Sequence, residues 1–198
     1  GLNQVSSLVL SLSLFEAFPA VPGKPTFDRE KFWEHSAGCG VFARVLTTRL
    51  KCPMNGAEFA AGLLHEIGKI VMDYFFHDRF IEVLELCRDE GLPLLEAEKR
   101  VMGVTHPRIG GWLAERWNLP VNVVEAIRYH HTPQAARFNR TLVAIVHLSD
   151  LLCKSEGIGF GGDLDGVSLA EDEAWGIIRA EVPELDDLDV ERLTFELE

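Results

Sequence analysis

Residues 60–71 read AAGLLHEIGKIV, and this stretch decides the fold. Leu63, Leu64, Ile67, Ile70 and Val71 recur at helical spacing, with no alternation of period two. Pro53 and Gly56 punctuate the chain just before it, so the pattern predicts a helix over about 57–75 with Phe59 on the same face. In its middle lie His65 and Glu66. A bare buried carboxylate is costly, so this pair needs compensation. A bound cation is one remedy, because it makes the imidazole and the carboxylate ligands of one centre.

The same period continues on both sides. Asp28 is a predicted N-cap for a helix to about Leu50, with Phe32, Cys39, Phe42, Val45 and Leu46 inward. A more polar helix is expected over about 77–90, stopped by Gly91, and Pro93 opens another to about Met102. At His106-Pro107 the proline suits the first helical position, which predicts His106 as the N-cap of a helix to Trp117. Helices follow at about 121–131, ending at Thr132-Pro133, and at 141–155. Ser168 and Glu171 read as a capping box for a helix to about Ala180. Residues 2–18 read as a buried helix ending before Pro19, and 19–27 as a proline-rich loop. That first helix starts abruptly, which implies a chain cut from something longer. No stretch alternates as a strand would, so the fold is all-α, a compact multi-helix bundle. Trp33, Trp112 and Trp117 are expected as core anchors.

Composition narrows the function. Apolar residues make up 47% and charged residues 25% of the 198, which fits an ordinary soluble domain. The net charge is −12. From Asp163 onward thirteen acids meet only Arg179 and Arg192, leaving the rest nearly neutral. No basic face is available to displace counterions, so no nucleic-acid polymer is expected as a partner. The acidic tail is read as a solvated face in preference to a docking segment. Residues 2–18 carry Asn3, Gln4, Glu16 and four serines without a basic start, so neither a signal peptide nor a membrane span is expected. The four cysteines stand singly, which points to a reducing cytoplasm. The glycine-rich loop at 157–166 lacks the GK[ST] of a phosphate cradle.

The seven histidines carry most of the functional information. His35 sits in an apolar helix, His106 at a helix start, and His130 and His131 side by side at a helix end. Asp150 lies in the apolar run AIVHLSDLLC. Each alone reads as a satisfied core residue. Together with His65 and Glu66 they recur at the inner faces or ends of successive helices, as ligands of a helical metal site do. Cys39 and Cys153, one turn from His35 and Asp150, read as small core residues rather than ligands. His77 reads as surface, and His147 as either a supporting group or core.

The order His, His-acid, His, His-His, Asp resembles the HD metal-dependent phosphohydrolase superfamily. The segments FWEHS, FAAGLLHEIGKIVM, THPRIGGWLAERWNLP, AIRYHHTP and VHLSDLLC resemble, in that order, the HDOD domain, an HD-related output domain of bacterial signalling proteins. The resemblance covers about residues 1–155, leaving 156–198 as an acidic extension with one or two helices. It implies an HD-like bundle whose N-terminal helical half is missing. It further implies His35, His65, Glu66 and Asp150 around a first metal. By similarity to HD-GYP phosphodiesterases, His106, His130 and His131 would hold a second, with Glu66 bridging. Lys69 matches the HDxxK lysine that some HD enzymes direct at a phosphate, and Arg108 is a further candidate for that role. Two departures stand out: Glu66 replaces the usual Asp, and TPQAAR follows the doublet instead of ExxDGxGYP. Nitrogen and oxygen ligands suit one or two divalent ions of iron, manganese or zinc. The expected function is a metal-binding regulatory module with a signalling protein partner. The alternatives are a metal-dependent phosphohydrolase acting on a nucleotide or other phosphoester, and a purely structural scaffold.

Overall fold

The first helix, α1 (Arg29–Arg49), begins where the Asp28 carboxylate accepts the Lys31 N–H at 3.0 Å, the N-cap read from the sequence. The computed structural model describes Phe18, residues 27–159 and residues 169–182. The expected helix at 2–17, the loop at 19–26, most of the glycine-rich loop, Ser168 and the tail from 183 lie outside the described residues.

Phe32, His35, Cys39, Ala43 and Leu46 form the buried stripe of α1, at the three- and four-residue steps of a helix face. The helix expected over 57–75 is two helices, α2 (Ala57–Leu64) and α3 (Ile67–Phe75), broken at His65-Glu66. The reason is local. His65 Nδ1 takes the Gly62 carbonyl at 2.6 Å, the acceptor that the Glu66 N–H would claim in an unbroken helix. Next come α4 (His77–Glu90), ended by Gly91 at φ +66°, and α5 (Leu94–Met102), ended by Gly103 at φ +72°. In α6 (His106–Arg116) the N-cap is Thr105, not His106, which moves the histidine inside the first turn. Then follow α7 (Val121–Tyr129), α8 (Arg140–Ser155) and α9 (Ala174–Glu181). Glu171 falls in a short 3-10 turn ahead of α9 rather than in the expected helix. Among the described residues there is no strand, so the all-α reading holds. None of their helices is long and apolar enough to cross a membrane.

Packing brings distant segments to one place. α1 lies against α2 and α8, while α6 lies against α3 and α7. Two glycines set the closest approaches. A Cβ on Gly62 would meet the Cys39 carbonyl carbon at 2.9 Å, and one on Gly68 would run into the His106 carbonyl. Ala43, Leu46, Ile145, Leu148 and Trp175 fill the core between α1, α8 and α9. Phe32, Leu64, Ile67, Val124 and Ile127 fill the core beneath α3, α6 and α7. Trp112 departs from expectation: it is 50% exposed, with the Arg108 guanidinium over its ring. His77 is not simply surface either, since its Nδ1 lies 2.9 Å from Asp73 and its side chain is only 12% exposed.

Candidate metal centre

At the junction of α1, α2, α3, α6, α7 and α8, His35, His65, Glu66, His106, His130 and Asp150 are all essentially excluded from water. Each imidazole is held by its Nδ1 edge. His65 and His130 use the same device: each follows a helix end and takes the carbonyl three residues back, Gly62 at 2.6 Å and Ile127 at 2.9 Å. His106 Nδ1 meets Glu98 Oε1 at 2.8 Å, and its backbone N–H donates to Glu98 Oε2 at 2.9 Å. His35 Nδ1 faces the Ile158 carbonyl at 3.4 Å, where the chain turns back after α8. A ring that donates Nδ1–H to an oxygen presents the Nε2 lone pair on its other edge.

Those Nε2 atoms converge on two carboxylates. Asp150 Oδ1 lies 3.0 Å from His35 Nε2 and 3.7 Å from His65 Nε2. Glu66 Oε1 lies 3.6 Å from His106 Nε2, 3.8 Å from His130 Nε2, 3.9 Å from His65 Nε2 and 4.0 Å from His131 Nε2. Two groups result, His35, Cys39, His65 and Asp150, and Glu66, His106, His130 and His131, each with ligand atoms within 4.8 Å of one another. Glu66 sits between them through its approach to His65. Ligands bonded at about 2.0–2.2 Å to one ion stand about 3.0–3.5 Å apart when adjacent and up to about 4.3 Å across it. The observed separations match that range. They are too long for direct hydrogen bonds in most pairs.

The polar accounting agrees. His65 Nε2, His130 Nε2, Glu66 Oε1 and Asp150 Oδ1 are buried without a hydrogen-bond partner. Asp150 Oδ1 is close to His35 Nε2 but lacks the alignment of a hydrogen bond. Buried polar atoms are nearly always satisfied, so two orphans in each of the two groups fit bound cations. The charge states suit it as well. Burial works to raise the Glu66 carboxyl, but the Lys69 ammonium beside it holds it well below the usual carboxylate range. Burial likewise opposes ionisation of Asp150, but the Lys154 ammonium at 2.8 Å holds it well below that range. Burial lowers His106, His130 and His131, keeping their rings neutral at pH 7. Ionised carboxylates beside neutral imidazoles are what a divalent metal needs. These buried groups can hold a metal ion.

Every histidine and carboxylate expected as a ligand, His35, His65, Glu66, His106, His130, His131 and Asp150, lies at this junction. Lys69 is there too, only 1% exposed and in direct contact with Glu66 Oε2. Arg108 is not, being stacked on Trp112. His147 backs the site, with Nδ1 2.7 Å from the His130 carbonyl and Nε2 3.1 Å from Asp172 Oδ2. Sequence reasoning missed Glu98. The available signal was a carboxylate in register with Leu94, Ala97 and Val101 on the apolar face of α5. Cys39 is in the core as the sequence reading placed it, fully buried, and its thiol lies beside His35 and Asp150.

The arrangement has relatives. The pattern that defines the HDOD domain matches residues 1–133. An uncharacterised protein of Treponema pallidum (strain Nichols) is 29% identical over 126 residues, 63% of this chain and 25% of the relative. The chain thus spans about a quarter of that relative's length. An HDOD domain protein of unknown function from Geobacter sulfurreducens superposes with a TM-score of 0.79 at 27% identity, covering 100% of this chain and 72% of the other. A protein from Shewanella amazonensis SB2B described as a "Putative phosphohydrolase" shares the fold at a TM-score of 0.71 and 21% identity, covering 100% and 68%. With most of its length matched by that pattern and its bundle reproduced in a solved HDOD protein, the chain belongs to the HDOD domain family.

Proposed function

We propose that the protein is a metal-binding HDOD module that acts in the cytoplasm as an output domain of a signalling system, working through a protein partner. His35, His65 and Asp150 would hold one divalent ion of iron, manganese or zinc, and Glu66, His106, His130 and His131 a second, with Glu66 Oε1 3.9 Å from His65 Nε2 of the first group. The observation that carries this reading is the convergence of buried, unpartnered His65 Nε2, His130 Nε2, Glu66 Oε1 and Asp150 Oδ1. Without a cation these four atoms stay buried and unsatisfied, a cost of several kcal/mol that the Lys69 and Lys154 contacts to the other carboxylate oxygens offset only in part. Lys69 has a supporting role: its ammonium touches Glu66 and keeps that carboxylate ionised.

A second reading, a phosphohydrolase acting on a nucleotide or other phosphoester, is favoured by the meeting of the two groups at Glu66. Metal ions in such a pair supply Lewis acidity and acidify a bound water. The likeness in fold to a "Putative phosphohydrolase" supports it only at the level of architecture. The burial of Lys69 against Glu66 weighs against its use as a phosphate hook. His131, with 16% of its side chain exposed, is the member of the pocket that faces solvent.

Elemental analysis of protein purified without a histidine tag tests the first reading. One or two equivalents of iron, manganese or zinc are expected, and chelation should lower the melting temperature. Metal-free protein that neither binds these ions nor responds to them would refute it. Hydrolysis of a phosphoester panel with added manganese or iron then separates enzyme from module.

A further inference from the structure

The thiol of Cys39 stands where a fourth ligand of the first site would stand. His35 and Cys39 are one turn apart on α1 and present the same face. Cys39 Sγ lies 3.5 Å from His35 Nε2, and it lies within 4.8 Å of the ligand atoms of His65 and Asp150. A sulfur at about 2.3 Å and a nitrogen at about 2.05 Å from one tetrahedral ion are about 3.5–3.6 Å apart. The spacing found is therefore that of two bonded neighbours. The thiol is not alone in pointing to an ion, since His65 Nε2 and Asp150 Oδ1 are buried, unpartnered and aimed at the same space.

The backbone fixes the thiol there. Gly62 of α2 lets the two helices approach at Cys39, since a Cβ on Gly62 would sit 2.7 Å from the Cys39 carbonyl oxygen. Gly38 makes room for Cys153, because a Cβ there would sit 2.9 Å from the Cys153 sulfur. The Cys153 thiol in turn points to the His35 carbonyl at 3.8 Å, on the same helix as Cys39. In the protein without an ion, Cys39 is a neutral thiol whose S–H points to the Ser149 carbonyl at 3.6 Å. On binding, the proton leaves to solvent and the S–H bond is replaced by a metal–sulfur bond.

We propose that Cys39 binds the first-site ion as a thiolate, giving that site two imidazoles, one carboxylate and one sulfur. The second site offers only nitrogen and oxygen. The two sites then differ in preference: the first takes a borderline or soft ion such as zinc, cobalt(II) or iron(II), and discriminates against manganese and magnesium. This inference rests on the metal-binding reading above and adds the identity of one ligand and the class of ion.

Cobalt(II) titration of the tag-free, chelator-treated chain tests it, followed by absorption spectroscopy and elemental analysis. The expected result is a thiolate-to-cobalt charge-transfer band in the near ultraviolet that saturates at one equivalent. The band should persist in Cys153→Ala and vanish in Cys39→Ser. Zinc should bind Cys39→Ser about tenfold or more weakly than wild type, while manganese affinity stays unchanged. X-ray absorption of the wild-type zinc form should find a sulfur at about 2.3 Å, a readout that does not depend on the variant folding. Stoichiometric cobalt without the band, or zinc without a sulfur neighbour, overturns the assignment of Cys39 and leaves the metal-binding reading standing. Failure to bind any ion overturns both.

Discussion

Glu98→Gln gives the sharpest test of how the pocket is supported. Glu98 is buried and accepts two N–H groups of one residue, the His106 ring and the His106 backbone. Burial pushes its carboxyl from 4.5 up to about 8, against the pull of the His106 backbone N–H and Lys69. Without metal, the folded state therefore keeps a proton that the unfolded chain releases between about pH 4.5 and pH 8. Stability is lost as pH rises through that window. A difference of that size corresponds to about 5 kcal/mol once pH exceeds both values. Glutamine cannot titrate, and it can accept only one of the two N–H groups, a constant loss of about 1 kcal/mol. The two profiles must then cross: wild type is more stable near pH 4.5 by about 0.5 kcal/mol, and the variant is more stable at pH 8 by about 3 kcal/mol. Metal reverses the order, because an ion on Nε2 makes the Nδ1–H a stronger donor to an ionised Glu98. Zinc should accordingly bind the variant about 10–100-fold more weakly. Urea unfolding of chelator-treated and zinc-loaded protein across this pH range measures both effects. Parallel profiles for wild type and variant without metal would refute the reasoning.

Further outcomes are expected. Gly68→Ala forces a methyl group into the His106 carbonyl and should destabilise the fold by about 1–3 kcal/mol in denaturant, while weakening zinc binding through the displaced His106. Gly176→Ala, on α9, meets nothing within 4 Å and should raise stability by about 0.5–1 kcal/mol in the same assay. Burial works against a charged His147, but the Asp172 carboxylate and the His130 carbonyl hold its ring above the ordinary value. Its stabilisation is therefore complete below about pH 6.5 and is lost as pH rises through the raised value. Amide exchange over 169–182 should accelerate over that rise in wild type, and a pH-independent rate ratio between wild type and His147→Ala would contradict it.

Much of the site was legible from residue type and period. Asp28 before an apolar stripe, Pro107 in a first turn and Gly91 after a last turn act through a few neighbouring bonds, so local chemistry announces them. Histidines and carboxylates at apolar-face positions likewise advertise an unpaid burial cost wherever the helices go. That argument, with the family resemblance, reached each of His35, His65, Glu66, His106, His130, His131 and Asp150. The break at His65-Glu66 was not legible, because apolar residues continue on both sides and neither glycine nor proline marks it.

What the sequence by itself determined was the helical period, most helix ends and the inventory of metal-seeking side chains. Tertiary structure alone decided which of them share an ion-sized space. Glu98 supports His106 from another helix, Ile158 reaches His35 across 123 positions of chain, and Cys39 meets Asp150 through the α1–α8 contact. A period names the face a residue occupies, but not the helix packed against that face. That choice is made by shape: by the close approaches at Gly62 and Gly68, and by ring nitrogens that take a helix's own carbonyls and turn the opposite edge inward.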